Sequence, residues 1–203
     1  MEPTTTPTAI TAVRDLKKER DAADVALLQG VVSWSVEYRV DHSLVDSLTF
    51  GVDGIILGGV GCPLVSEFDV YDLAAGLGMS SESGCAYVAK VLELRYRLPK
   101  TWERVTALEV PVWKAFRVCE STLTLTFEAA THVDRMLAPV LHSCSFAQIE
   151  RTVAQAIDLH DPDEAEKRRV KAADDRSFDV HLGAQGASTD GTVAVSGSLA
   201  LED

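Results

Sequence analysis

VYDLAAGLGMSSESGCAYVAKVLELRYRLPKTW, residues 70–102, decides the fold class. Apolar residues at helical spacing run to Leu77, Gly78 breaks the pattern, and a second helix begins at Ser80 or Ser81. Leu98-Pro99 stops that second helix, because the residue before a proline is pushed out of the helical region. This is helix-turn-helix grammar. Gly78 permits the sharp turn, Ala74 occupies the tight crossing position, and Leu73, Leu77 and Met79 fall on core positions. Gly84 is the discordant residue, since the second helix is expected to offer a branched apolar side chain there and glycine weakens a helix by roughly 1 kcal/mol. The prospective reading face, Ser80, Ser81, Glu82, Cys85 and Ala86, holds neither the arginine nor the amide side chains that discriminate bases in the major groove.

The same stretch opens the one basic island of an acidic chain. Residues 1–85 carry 5 basic and 13 acidic side chains, residues 86–118 carry 7 and 3, and residues 119–203 carry 7 and 15. The net charge of −12 therefore hides a strip at +4 between two segments at −8. Its cations are Lys90, Arg95, Arg97, Lys100, Arg104, Lys114 and Arg117, interleaved with Tyr96, Trp102 and Trp113. Cations and aromatics in alternation suit phosphates and stacked bases. They suit equally a strip that docks on the acidic parts of its own chain. Lys90, Glu93 and Arg97 share one helix face, with Glu93 four residues ahead of Arg97 as a supporting ion pair.

Upstream, Ala9 to Tyr38 reads as one long helix, or two joined near Gly30, with a stripe of Leu16, Ala23, Leu27, Val31, Trp34 and Tyr38. Such a helix is a candidate for pairing with a copy of itself. GVDGIILGGVGCP, residues 51–63, is a loop by its glycines, with Ile55-Ile56-Leu57 expected to plug into the core. It lacks the lysine of a phosphate-binding loop. Ser66 precedes one helix, Pro111 opens another, Leu123–Leu137 supports a third ended by Pro139, and Ser143–Leu159 a fourth. Asp161-Pro162-Asp163 starts a charged helix reaching about Ala173. Phe178–Leu182 and Thr192–Ser196 alternate as strands around the turn residues Thr189-Asp190-Gly191. Trp34, Trp102 and Trp113 each lie in an apolar helical pattern, so burial of all three is expected.

The four cysteines stand 23, 34 and 25 residues apart, and the five histidines are scattered, so no metal site, cofactor or catalytic constellation is legible. No apolar run spans a bilayer and the N-terminus lacks the charge pattern of a signal peptide, which points to a cytoplasmic protein with no membrane contact. The expected organisation is a disordered N-terminus over 1–8, a helical domain over 9–173 and a β-hairpin tail over 174–203 that leads into a truncated continuation. The fold class is mainly α, a multi-helix orthogonal domain with a helix-turn-helix-like segment and a C-terminal hairpin.

The strings LGMSSESGCAYVAKVLELRYRLPKTWERV (77–105) and PVWKAFRV (111–118) resemble an actinobacterial family that carries the domain of unknown function numbered 222. Matching features are the turn at Gly78, the segment Leu94 to Trp102, the proline-led helix with Trp113 and Arg117, the run at 137–141 and the strand Arg176 to Leu182. The resemblance implies the helical N-terminal domain of an HNH-endonuclease-like protein of mobile repeat elements. In that family catalysis lies in a C-terminal module of paired histidines, an asparagine and a divalent metal. No such cluster occurs in this sequence, so no catalytic residue carries over. Two functions follow as expectations: a non-catalytic domain that positions nucleic acid, with DNA held on the basic strip, or a protein-interaction module that self-associates through the first helix.

Overall fold

The computed structural model describes residues 9–40, 54–174, 177–181 and 194–198. Among them the chain is mainly helical, with eight helices and two small antiparallel sheets. It divides into two compact units, 1–160 and 161–203. The sequence boundary expected after residue 173 is therefore corrected to residue 160. The expected disordered N-terminus, the turn at 189–191 and the last residues lie outside the described positions.

In the larger unit α1 (Ala9–Glu37) is a single helix that runs through Gly30. Its buried residues are Val25, Leu28, Val31 and Ser35, of which only Val31 belongs to the stripe read from the sequence. Leu16 is 64% exposed and Leu27 40% exposed, while the first twelve residues bury nothing. After α1 the chain lays Val40 against Leu64 by a backbone hydrogen bond of 3.1 Å. Strand β1 (Gly54–Ile55) then pairs with β2 (Val65–Ser66), Gly54 opposite Ser66 and Ile55 opposite Val65. The glycine-rich stretch is thus a short ribbon with a loop, and Ile56 points to solvent instead of plugging the core.

Helix α2 (Glu67–Gly76), the turn and α3 (Ser81–Tyr96) form the expected helix-turn-helix-like pair. Gly78 sits at φ +69°, the left-handed region that favours glycine. The Ser80 hydroxyl caps α3 by accepting from the Ser83 N–H at 3.2 Å. Gly84 is not a defect. A Cβ built there would lie 2.2 Å from the Cβ of Ala74, so glycine is what lets the two helices touch. Helix α3 is the axis of the unit. Val88, Ala89, Val91, Leu92 and Leu94 are all buried, as α1, α2 and the two helices that follow pack around it.

Pro99 then opens α4 (Pro99–Thr106), whose first N–H groups need an outside acceptor. Asp134 supplies it from α6 (Phe127–Leu137), accepting from the N–H of Lys100 at 2.9 Å and of Thr101 at 2.8 Å. Between them lies α5 (Val112–Thr122), entered through Pro111, and α7 (Phe146–His160) packs on α6. Trp34 and Trp102 are half-buried, but Trp113 is 56% exposed, which corrects the expectation for the third tryptophan. Its ring meets Phe146 edge-on at the surface instead of entering the core.

The smaller unit holds α8 (Pro162–Asp174) and a hairpin of β3 (Ser177–His181) and β4 (Ala194–Ser198), with Ser177 opposite Ser198 and His181 opposite Ala194. No described helix is long and apolar enough to cross a membrane.

Candidate functional site

The basic strip folds across α3, α4 and α5, and the structure separates its seven cations into three groups. Two are interior. Arg97, the residue that caps the C-terminal end of α3, has no exposed side-chain surface, and neither has Glu93 one turn earlier. The guanidinium Nη1 donates to both Glu93 carboxylate oxygens at 2.9 and 3.0 Å and to the Thr122 carbonyl at 3.1 Å. Nη2 donates to the carbonyls of Leu125 at 2.6 Å and Thr126 at 2.9 Å. Arg97 therefore ties α3 to the loop between α5 and α6, and it cannot reach a phosphate. A buried charge survives only when paired and hydrogen-bonded in this way. Lys114 is also buried, its Nζ donating to the His142 carbonyl at 3.0 Å.

The glycine loop completes the clamp. The Gly59 N–H donates to Glu93 Oε2 at 3.1 Å, and a Cβ at Gly59 would stand 1.7 Å from Arg97 Nη1. Only glycine lets the backbone approach this closely. Burial first, and the Glu93 carboxylate next, push the Cys62 thiol up to about 12, so it stays a thiol at neutral pH. A cleft of about 670 Å³ opens beside the loop, walled by Ile56, Val60, Leu64, Tyr96 and Leu125, with Arg39 among its lining residues.

Three more cations are at the surface but already paired. Lys90 binds Glu120 at 3.2 Å and lies 5.2 Å from the Phe116 ring. Arg104 binds Glu109 at 2.5 Å and donates to the carbonyls of Ala138 and Pro139 at the end of α6. Arg117 bridges Glu120 and Glu150. Of the seven, only Arg95 and Lys100 are exposed with no carboxylate partner among the described residues, and Arg95 lies 5.7 Å from the rings of both Tyr96 and Trp102.

Sequence reasoning paired Glu93 with Arg97 but placed the pair on the surface. It also passed over Asp134, whose buried carboxylate caps a helix 33 residues away, and over His132 and His160, which the fold brings within hydrogen-bonding distance. Spacing along the chain carries no trace of either contact. Among the described residues no three histidine, cysteine, aspartate or glutamate side chains are grouped so as to hold a metal ion.

Compared with family models, with curated proteins and with solved structures, the chain shows no match. The resemblance to the family of the HNH-endonuclease-like proteins rests on the motifs alone.

Proposed function

We propose that this chain is a non-catalytic interaction domain whose first partner is a second copy of itself, in the setting the motifs imply, beside a nuclease module of the HNH type. The observation that carries the reading is the free face of α1. Leu16, Ala23, Leu27 and Trp34, with Arg20 and Gly30 in the intervening places, recur at alternating four- and three-residue steps, the spacing of a coiled-coil seam. Leu16, Ala23 and Leu27 are exposed, and an added Cβ at Gly30 would meet nothing within 4 Å. A mid-helix glycine that no contact of its own chain requires costs about 1 kcal/mol. A partner backbone at close approach would give it a reason.

The seam is complementary to itself when two copies run antiparallel. Ala23 then faces Leu27, Arg20 faces Gly30 and Leu16 faces Trp34, large against small through the centre. A seam this narrow suits a transient dimer instead of an obligate one. Sedimentation equilibrium tests it. The parent chain is expected to dimerise reversibly at about 100 μM, and Leu16→Asp with Leu27→Asp to be monomeric with an unchanged circular dichroism spectrum. A parent chain that stays monomeric at that concentration removes the reading.

Nucleic acid is the second reading, and it now stands on Arg95 and Lys100, the two unpaired cations of the strip, with Tyr96 and Trp102 as stacking surface. Two phosphate contacts predict a log–log salt slope of only about −2. Fluorescence anisotropy on an oligonucleotide, with Arg95→Gln and Lys100→Gln as variants, measures it.

A further inference from the structure

We propose that His132, Arg135 and His160 form an oxyanion site, with a phosphate group as the ligand class, where α6 meets the end of α7. The site is independent of the α1 face. His160 Nε2 lies 3.1 Å from His132 Nδ1, and Arg135 Nη2 lies 3.3 Å from the same nitrogen. The two imidazole rings are 5.1 Å apart and tilted by 59°. Two nitrogen groups thus approach a third, His132 Nδ1, and the cluster joins residues up to 28 apart in sequence. None of the three side chains is paired with a carboxylate among the described residues. This contrasts with Lys90, Arg104 and Arg117, whose charges are all taken up by glutamates.

The group borders a concavity of about 380 Å³ lined also by Phe127, Glu128 and Thr131. The Arg135 guanidinium can only donate, so His132 Nδ1 accepts from it as an unprotonated nitrogen, and His160 donates to the same atom in the tautomer that carries its proton on Nε2. Burial, then Arg135, then His160 hold the His132 imidazolium below its ordinary range. An oxyanion among the three groups offsets the last two causes with its own opposite charge. It accepts charge-assisted hydrogen bonds from Arg135 and His160, and it favours a proton on His132 Nδ1, which then donates as well. Thr131 adds a hydroxyl on the same lining.

On α6, Glu128 lines the concavity and opposes an anion; on α7, the C-terminal carbonyls at His160 favour a cation there, and Asp158 stands two residues earlier. Because the bound state holds a proton that the free state lacks near neutrality, binding strengthens as pH falls toward and just below the ordinary histidine range, about 6.5.

Histidine side-chain NMR tests this with sulfate as the probe, since its charge is constant over the range. On the full chain at about pH 6, sulfate is expected to shift the His132 and His160 resonances together and saturably. It should leave exposed His142 unmoved, and it should raise the titration midpoint of His132. Arg135→Gln should weaken binding roughly tenfold, and Glu128→Gln should tighten it. Phenyl phosphate and a short oligonucleotide, each competed against sulfate at the same resonances, separate a free phosphomonoester from a nucleic-acid backbone as the natural source; competition by either supports the site. The proposal fails if sulfate moves His142 as much as His132, or if Arg135→Gln leaves the affinity unchanged.

Discussion

Helices α3 and α1 make opposite use of the same residue types. Each carries a glycine in its interior and an arginine beside an acidic residue. In α3 both are answered within the chain: Gly84 receives Ala74, and Arg97 receives Glu93, three backbone carbonyls and, over the carboxylate, Gly59. In α1 Arg20 meets the adjacent Asp21 at the surface, and Gly30 faces open space. The lesson is that a glycine or a charge in a helix is uninformative until its neighbours are known. Where the chain supplies them the residue is structural, and where it does not, a partner is the natural place to look.

The contrast is open to attack, and the largest effect is expected at the clamp. Glu93→Ala leaves the Arg97 guanidinium buried without its counter-charge, and unfolding by urea should show a loss of about 3–5 kcal/mol. A loss under 1 kcal/mol would mean that water reaches the pair and that α3 is less enclosed than its burial implies. Asp134→Ala comes next, because it strips two N–H acceptors from the start of α4; about 2 kcal/mol is expected, with the helix otherwise retained by circular dichroism.

The glycines give the smallest but sharpest comparison. Gly84→Ala should destabilise the fold by about 1–3 kcal/mol, since the new methyl overlaps Ala74. Gly30→Ala should stabilise the dilute monomer by up to about 1 kcal/mol, because helix propensity improves and nothing is displaced. Opposite signs for one chemical change would confirm that packing, not propensity, separates the two helices. Equal signs would dissolve the distinction.

The existence of the elements was largely legible. Helical periodicity, Pro111 and Asp161-Pro162 announced helices, and alternation announced the strands of the hairpin, because these signals act over a few residues; Pro99 was read only as a stop, and the short helix α4 that it opens was missed. Faces were less legible. Along α1 two apolar stripes share Val31, and periodicity favours the one through Leu27 and Trp34, whereas the body packs on Val25 and Leu28 with Val31. Ile56 and Trp113 failed for the same reason: hydrophobicity says what would benefit from burial, not whether the core has room.

Net charge led furthest astray. A run of seven cations reads as a surface, yet Arg97 and Lys114 are interior and Lys90, Arg104 and Arg117 are occupied by glutamates. Replacing Arg97 to probe ligand binding would test folding instead, so Arg95 and Lys100 are the variants that discriminate.

By itself, then, the sequence determined the mainly helical class, the turn at Gly78 and the ion pair between Glu93 and Arg97, because each is written in residues no more than a helical turn apart. The tertiary structure alone decided that this pair is sealed under Gly59, that Gly84 is a contact, that Asp134 caps α4 and that His132 meets His160. Those contacts join residues 10 to 34 positions apart, and closing such loops depends on how every intervening helix packs, which no local pattern encodes.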